Sequence, residues 1–397
     1  MVLHNISNTT IAIIVMIAIV VLVTCNLFAI IFVFLINNKI TILRDMCITD
    51  GALMHNLLPS TTEVESKDMS SDIADKDKRE HNYLSITIDM PKIQDAGEDA
   101  SPLFVRRKNI SIIGVFDGMG GAGAEVYYEG EIKHTGAYIA SRAVKDIVEQ
   151  FVAEKDIFEQ DNIPIILKED IKDKLLKKKE GLTGTQSGLK SRMIKTLPTT
   201  MAISGILLNN NRWKIKVLWA GDSRVYLLSP QDGLIQLTKD DLSIAQDPFL
   251  NLYNDSSLSN MVNLSQDFII NEKNYESNLP CVVLAASDGC FGYLPSPMHF
   301  EHMLLDTMQD SSSIDEWERK LIERLKDVTS DDCSMALMCS DVEYEQLKNN
   351  FNDRWLSLYE EIKTINKEIN IINRNAIKDV CEKHWSLYKQ TNYPFND

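Results

Sequence analysis

Apolar segments of strand length end beside an aspartate and a glycine at residues 112–118, 217–222 and 282–289. A short apolar segment bounded by turn residues is typical of a buried strand. Glycine next to the carboxylate leaves space for a close approach of the backbone. The pattern therefore predicts that Asp117, Asp222 and Asp288 lie at rigid strand ends, where their carboxylates converge on a hard cation.

The rest of the hydrophobic pattern predicts strands and helices in blocks. Strands are predicted at residues 83–90, 199–208, 213–220, 224–228 and 334–339. Amphipathic helices are predicted at residues 135–155, 298–308 and 314–328, and a lysine-rich helical insertion is predicted at residues 163–195. We expect the strands between residues 199 and 228 to be antiparallel neighbours, with a hairpin turn at residues 209–211. Because strict β-α-β alternation is missing, the pattern favours an α+β sandwich of antiparallel sheets.

Residues 11–36 form a long apolar segment, and no Asp, Glu, Lys or Arg precedes Lys39. About 20 such residues are enough to span a bilayer as a helix. The alternative is a secretory signal peptide, but a basic n-region and a small-residue cleavage site are missing. Because Lys39 and Arg44 follow the apolar segment, we predict a single-pass anchor within residues 1–45 and a cytoplasmic remainder.

Polar residues separate this anchor from the folded domain, which begins at residue 83. Residues 59–82 are rich in Ser, Thr, Asp, Glu and Lys and contain few large apolar side chains, so they cannot offset their own ordering entropy. We therefore predict that residues 46–82 form a flexible linker. At the other end, residues 342–397 predict a helical extension with one apolar seam of Leu347, Phe351, Trp355, Leu358 and Ile362. This seam either covers the domain or pairs with a partner.

Composition narrows the range of functions. The chain has 397 residues, 44% of them hydrophobic, which is enough for a sizeable core. A formal net charge of -16 argues against nucleic acid as a partner, because no surplus of Lys and Arg is present to replace phosphate counterions. None of the 7 cysteines forms a C-x-x-C pair. This spacing predicts buried thiols rather than a disulfide framework or a zinc site.

Two features of the sequence have a simpler interpretation than a functional site. An isolated aspartate before glycine is most often a turn residue. Here the strand-end aspartates are joined by two acidic pairs, Glu98-Asp99 and Asp331-Asp332, and clustered carboxylates repel one another unless a cation holds them. Residues 184–191 look like a phosphate-binding loop, but Leu189 stands where such a loop needs glycine before its lysine.

The amino-acid sequences of these motifs resemble those of the bacterial members of the metal-dependent protein serine/threonine phosphatases, the PPM or type 2C family. The matching segments, in the family's order, are Glu98-Asp99-Ala100, Asp117-Gly118-Met119-Gly120-Gly121, Pro198-Thr199-Thr200, Ala220-Gly221-Asp222-Ser223-Arg224, Leu237-Thr238-Lys239-Asp240, Ala286-Ser287-Asp288-Gly289 and Asp331-Asp332-Cys333-Ser334. Each segment alone is a weak signal, whereas the ordered set is a strong one. The resemblance assigns the phosphatase domain to residues 83–341.

The resemblance implies a four-layer α-β-β-α sandwich, two central antiparallel sheets flanked by helices, with two Mn²⁺ or Mg²⁺ ions at one edge. Asp117 would bridge the ions, the Gly118 carbonyl would bind one of them, and Asp288 and Asp331 would bind the other. Glu98 and Asp99 would hold metal-bound waters. Asp222 is the candidate ligand of a third ion. A water between the two ions would attack the phosphorus of phosphoserine or phosphothreonine in line.

The chain departs from the family's usual residues at several positions. Gln94 stands where an arginine usually binds the substrate phosphate bidentately, and Lys92 can replace it only as a point charge. Met119 stands where many eukaryotic members have histidine, which indicates a bacterial type. Asp241 and Asp332 replace the common His and Asn. Residues 247–278 form an atypical flap.

Three hypotheses follow from the sequence. The first is an active, membrane-anchored phosphatase whose partners are phosphorylated proteins, among them membrane-proximal kinases or receptors. The second, motivated by Gln94, is a catalytically weak regulatory or scaffold protein of the same fold. The third is a metal-dependent hydrolase of small phosphorylated substrates. Nothing in the sequence indicates an oligomeric state.

Overall fold

The computed structural model describes residues 84–94, 96–107, 109–184, 194–209, 212–244, 247–254, 256–339, 342–369 and 373–392. Contacts divide the chain into two units. One unit comprises Met1–Asp77 and Asn366–Ile377, and the structure describes only parts of two helices in it. The other unit, Lys78–Ile365 with Lys378–Asp397, contains the sheets and the candidate site. The predicted anchor at residues 11–36 and the linker at residues 46–82 lie outside the described residues.

The strands are short and their bounds lie close to the apolar segments of the sequence. They are β1 Ser85–Met90, β2 Leu103–Arg107, β3 Ile110–Val115, β4 Val126–Glu129, β5 Ile132–Thr135, β6 Thr183–Gly184, β7 Met201–Asn209, β8 Arg212–Ala220, β9 Arg224–Ser229, β10 Gly233–Gln236, β11 Asn271–Asn278, β12 Val282–Ala286 and β13 Cys333–Cys339.

Helices follow the strands in blocks, as the pattern predicts. They are α1 Gly136–Glu154, α2 Ile163–Glu180, α3 Pro248–Asn251, α4 Asp288–Phe291, α5 Pro297–Gln309, α6 Ile314–Val328, α7 Tyr344–Glu368 and α8 Arg374–Asn392. In the described part of the chain, no helix is both long enough and apolar enough to cross a membrane.

The strands form two five-stranded sheets and one small three-stranded sheet. The first sheet has the order β1-β13-β12-β9-β10, the second has the order β11-β8-β7-β3-β2, and the small sheet has the order β5-β4-β6. Neighbouring strands in the two large sheets are antiparallel throughout. The predicted α+β architecture with two antiparallel sheets is therefore confirmed.

The two large sheets pack face to face because alternate side chains of their strands are apolar. Val225 and Leu227 of β9 join Ile113 and Val115 of β3 in one buried cluster. Since successive side chains of a strand point to opposite faces, Tyr226 must lie on the other face of the first sheet. There its ring contacts Phe300 of α5, 5.5 Å between centroids, so this helix covers that face.

The outer face of the second sheet is covered by α1 and α2. Val144 and Val148 of α1 share a buried cluster with Ile171 of α2 and Ile112 of β3. The side chain of Thr135 accepts a hydrogen bond from the Tyr138 N–H and caps α1. The predicted helix at residues 135–155 is confirmed within two residues at each end.

Several predicted elements are corrected by the structure. The predicted helix at residues 163–195 ends at Glu180 and is followed by strand β6. The strand at residues 224–228 exists, but it does not pair with β8. Instead, β9 pairs with β10 and β12 in the first sheet. Gly221, with φ of 115°, allows the chain to turn from one sheet to the other between β8 and β9.

The C-terminal stretch forms two helices, α7 and α8, in the described residues. Four members of the predicted seam are buried, namely Leu347, Phe351, Leu358 and Ile362. Trp355 lies at the edge of this seam and donates a hydrogen bond to Asp306 of α5 over 3.3 Å. The described cysteines are free and buried, as expected from their spacing.

Candidate metal-dependent active site

The sheet order brings the predicted aspartates to one edge of the sandwich. In the first sheet, Ala286 at the end of β12 is opposite Arg224 at the start of β9 and opposite Met335 near the start of β13. Asp288 is therefore close to Asp222, which precedes β9, and to Asp331, which precedes β13. In the second sheet, Asp117 follows β3, and its carbonyl accepts a hydrogen bond from the Thr200 N–H over 2.8 Å.

The carboxylates at this edge are neighbours in space. Asp117 lies within hydrogen-bonding distance of both Asp99 and Asp288. Burial raises the pKa of Asp117 well above its usual range, and the nearby charges of Asp99, Asp288 and Asp222 raise it further. Burial, followed by the charge of Asp331, raises the pKa of Asp288. Without a cation, the cluster therefore favours retaining protons.

Two further carboxyl groups share this environment. Burial raises the pKa of Asp99 to about 8, opposed by hydrogen bonds with Ser287 and Asp117. Burial and the charge of Asp288 raise the pKa of Asp222 to about 8. These shifts mean that bringing the carboxylates together in the folded state is unfavourable for their charged forms.

The donor set fits a hard cation. Every candidate side-chain ligand is a carboxylate, the group that Mg²⁺ and Mn²⁺ prefer in proteins. The Asp99 Oδ2 atom is buried and finds no hydrogen-bond partner in the described part of the chain. In the part of the chain that the structure describes, no three His, Cys, Asp or Glu side chains are arranged as a formed metal site. The carboxyl groups instead contact one another.

Glycines allow Glu98 to reach this edge. A Cβ atom on Gly120 would lie 1.8 Å from Glu98 Oε2, and one on Gly118 would lie 2.4 Å from the Glu98 carbonyl oxygen. A side chain at Gly118 would therefore displace the Glu98 backbone, and one at Gly120 would displace the Glu98 carboxylate. The hydroxyl of Thr135 donates to Glu98 Oε1 over 2.8 Å and orients its carboxylate.

Asp332 has a structural part in the site that the sequence did not indicate. Its Oδ1 accepts the N–H of Lys92 over 2.6 Å, and its Oδ2 accepts the N–H groups of Glu98 and Asp99 over 2.5 and 3.4 Å. One side chain at the start of β13 thereby fixes the first acidic motif beside the strand ends. The only sequence signal was the pair Asp331-Asp332.

Asp331 lies at the exposed side of the cluster. The Tyr293 hydroxyl donates a hydrogen bond to its carboxylate. Asp331 also borders an open groove whose other walls include Lys92, Gln94, Ile322 and Lys326. The predicted substrate-binding residues Lys92 and Gln94 therefore face a groove that leads to Asp331. Lys326, on α6, was missed because no local pattern connects this helix to the first motif.

A buried ion pair supports the Asp222 side of the site. Arg224 donates to Asp240 through Nε over 3.0 Å and Nη2 over 2.7 Å. Only 3% of the Arg224 side chain and 2% of the Asp240 side chain are exposed. Next to it, Asp241 Oδ2 accepts the Gly221 N–H over 3.0 Å, so Asp241 positions the turn that carries Asp222.

No protein-family model and no curated protein sequence matches the chain. Solved structures do align with it. The Mycobacterium tuberculosis serine/threonine phosphatase PstP/Ppp is 17% identical, with 65% of this chain and 98% of that chain covered and a TM-score of 0.43. The PstP catalytic domain in complex with 2 manganese ions is 17% identical, with 65% and 97% covered and a TM-score of 0.41.

A third solved structure is the S. agalactiae serine/threonine phosphatase. It is 15% identical, with 65% of this chain and 100% of that chain covered and a TM-score of 0.47. These three structures belong to two proteins, and both proteins are serine/threonine phosphatases, the class of enzyme that the sequence motifs resemble.

Proposed function

We propose that the protein is a metal-dependent protein serine/threonine phosphatase. The observation that carries the proposal is that the Asp117 carboxyl group contacts those of Asp99 and Asp288 at the sheet edge, with the pKa of each raised by burial. Carboxylates held close together, although this lowers the stability of the folded state, are typical of a cation-binding active site. The ordered motifs of the sequence support the same conclusion.

Under this proposal, Asp117, Asp288 and Asp331 with the Gly118 carbonyl would hold two Mn²⁺ or Mg²⁺ ions, and Asp222 would hold a third, weaker one. Such ions supply an activated water and neutralise the charge of the phosphoryl oxygens. Glu98, oriented by Thr135, and Asp99 would hold waters around the ions. Binding of these ions would release the protons that the carboxyl groups retain in the metal-free protein.

The groove beside Asp331 is the proposed path of the phosphorylated segment. Lys92 offers a positive charge at its wall, and Gln94 offers an amide in place of the guanidinium that the family uses. Because Asp332 fixes the Lys92 N–H, the wall is held in place before the substrate binds. The expected substrates are phosphoserine and phosphothreonine in proteins.

We also propose that residues 11–36 anchor the protein in a membrane, with the catalytic domain on the cytoplasmic side. The apolar character of this segment and the following Lys39 and Arg44 support the orientation. The linker at residues 46–82 would let the domain reach membrane-proximal phosphoproteins such as kinases or receptors.

The test is hydrolysis of p-nitrophenyl phosphate and of a phosphothreonine peptide by the full-length protein in detergent. We expect turnover of both in Mn²⁺, and its loss in excess EDTA. Turnover of the small substrate alone would contradict a protein phosphatase and favour a hydrolase of small phosphorylated substrates. If neither substrate is turned over in Mn²⁺, the proposed activity is contradicted.

A further inference from the structure

The groove beside Asp331 is formed by two segments that are far apart in the sequence. The end of β1 and the residues after it, among them Lys92 and Gln94, form one wall, and Ile322 and Lys326 of α6 form the other. Helix α6 packs against β1, so the two walls are held together by the fold of the first sheet. The groove has a volume of about 660 Å³, far more than a phosphoryl group needs. It therefore has room for side chains next to a phosphorylated residue.

The end of α6 places Lys326 at this groove. Leu325 is completely buried, whereas Lys326 is exposed and lines the groove. The Thr329 N–H donates to the Leu325 carbonyl over 2.9 Å, and the Thr329 hydroxyl accepts the Asp331 N–H over 3.2 Å. One turn therefore ends α6 and leads directly to Asp331, which fixes the backbone of Lys326 relative to that of Asp331.

Lys92 and Lys326 bring two positive charges to opposite walls of the groove. Both residues are exposed, and in the described part of the chain neither lysine forms an ion pair. By contrast, Arg319 on the same helix is bound to Glu316 and Glu323. The whole chain has a formal net charge of -16, so two positive charges without carboxylate partners stand out on a mostly negative molecule. Such a pair attracts an anionic ligand.

The two carboxylates that line the groove are close to other cations. Asp89 lies near the charged groups of Arg142 and Lys145 of α1. Asp331 would bind a metal ion under the proposed function. The positive charges of the two lysines therefore remain for groups that a substrate brings.

Lys326 lies at the end of the groove that is remote from Asp331. A shallow depression along α6 shares Ile322 and Lys326 with the groove, whereas Asp331 lines the groove alone. The shared residues therefore lie where the groove continues onto the side of α6. Beyond them the depression is mainly acidic, and it is lined by Asp315, Glu318, Arg319 and Glu323. A substrate carboxylate is attracted at Lys326 and repelled further along the helix.

We propose that Lys326 binds an acidic side chain of the protein substrate, close to the phosphorylated residue. The proposal rests on the proposed phosphatase activity and names its substrate class, namely phosphoproteins with an aspartate or glutamate near the phosphorylated residue. Lys92, whose N–H is bound to Asp332 beside Asp331, is left for the phosphoryl group. Two separate ammonium groups suit two separate anions, whereas a single guanidinium holds one phosphate in a fork.

The experiment measures kcat/KM for phosphothreonine peptides with the full-length protein in detergent with Mn²⁺. A single aspartate is moved stepwise along both flanks of a neutral peptide, and the best position is then compared with asparagine. We expect the aspartate peptide to have a kcat/KM roughly two- to fivefold higher, as for one exposed ion pair. The advantage should decrease at high salt, because salt screens exposed charges.

Variants of Lys326 should change the preference between the two peptides. Lys326→Ala should make their kcat/KM values equal. Lys326→Glu should favour asparagine over aspartate, and a peptide with lysine at the same position should become the best substrate. Lys214→Glu, the same charge change at an exposed lysine of β8 in the other sheet, is the matched control and should keep the wild-type ratio. Since the ratio compares peptides on one preparation, partial unfolding of a variant does not alter it.

Three results would contradict the inference. An equal loss of kcat/KM on both peptides in Lys326→Glu would mean that Lys326 contacts the phosphoryl group or supports only the fold. A wild-type protein that does not distinguish aspartate from asparagine at any flanking position would overturn it directly. A wild-type protein inactive on p-nitrophenyl phosphate and on every peptide in Mn²⁺ would contradict the proposed function itself, and the inference with it.

Discussion

Asp117 has two carboxyl neighbours within hydrogen-bonding distance, Asp99 and Asp288, and burial together with their charges raises its pKa. Asp117 therefore connects Asp99 of the first acidic motif to Asp288 at the end of β12. In an apolar surrounding, such a residue is costly unless protonated or bound to a cation. The acidic groups of the site are therefore stabilised by protons or by a bound cation.

Asp117→Asn should abolish activity and leave the fold intact. The amide has the same shape but cannot supply the negative charge that holds two divalent ions, so we expect turnover of p-nitrophenyl phosphate to fall at least about a hundredfold. Circular dichroism should be unchanged, because the substitution relieves repulsion between carboxylates. More than a few per cent of wild-type turnover in saturating Mn²⁺ would contradict the assignment of Asp117.

Gln94→Arg should improve binding of phosphopeptides. Gln94 lies on the wall of the groove that reaches Asp331, and an arginine there can offer two parallel charge-assisted hydrogen bonds to a phosphate. We expect KM to fall with little change in kcat. Gln94→Met, of similar length without a donor, is the control and should raise KM. If the arginine variant binds no better, Lys92 already provides the phosphate contact.

At the scale of elements, the start of β13 organises the acidic edge. Asp332, on the approach to this strand, holds three backbone N–H groups of the segment that carries Glu98 and Asp99. The opposite end of the site depends on the turn at Gly221, which sends β9 into the first sheet. Both features join segments that are far apart in the sequence.

Asp332→Ala should destabilise the domain by about 2 kcal/mol, since three N–H groups would lose an ionised acceptor. Asp332→Asn keeps one oxygen and should cost less. Urea unfolding of the two variants in EDTA measures the difference without any contribution from metal binding. Asp327→Ala, at an exposed position of α6, is the control and should unfold like the wild type. Equal midpoints for all variants would mean that these hydrogen bonds contribute little.

At the scale of the whole molecule, the acidic edge makes stability depend on pH and on metal. The pKa values of Asp99 and Asp222 are about 8 in the folded state, against ordinary values near 4. Between these values the folded protein binds more protons than the unfolded chain, so stability decreases as pH rises. The stabilising contribution is complete below about pH 4 and is lost as pH rises towards 8.

The metal-free protein should therefore melt at a lower temperature at pH 8 than at pH 5. Added Mn²⁺ should reverse this slope, because the ion binds the deprotonated carboxylates of the folded state alone. Thermal melting in EDTA and in Mn²⁺ at the two pH values measures the effect. In Asp99→Asn the slope in EDTA should be smaller. A melting temperature that rises with pH in EDTA would contradict the raised pKa values.

The proposed anchor predicts where the whole molecule is found. Full-length protein should sediment with membranes, and a variant lacking residues 1–45 should be in the soluble fraction. Protease added outside intact cells should leave the catalytic domain undigested. Recovery of the full-length protein from the soluble fraction would contradict the anchor. Digestion of the domain from outside would contradict its orientation.

The sequence by itself determined the strand ends that carry acidic groups, because local hydrophobic periodicity and the glycines beside Asp117 and Asp288 are visible without any long-range contact. It also determined most elements, for example α6, predicted at residues 314–328 and found at Ile314–Val328. The ordered motifs predicted the antiparallel α+β sandwich and named the acidic residues that meet at its edge.

Only the tertiary structure decided which of these elements are neighbours. Since β9 continues directly from β8 with a short turn, local pattern favours a hairpin, and only the completed sheets show that β9 pairs with β12 instead. The contacts of Asp332 with residues 92–99 and of Asp247 with Trp385 join segments more than a hundred residues apart. Such contacts leave no periodic signal, because they depend on sheet order and side-chain packing, which many distant residues set together.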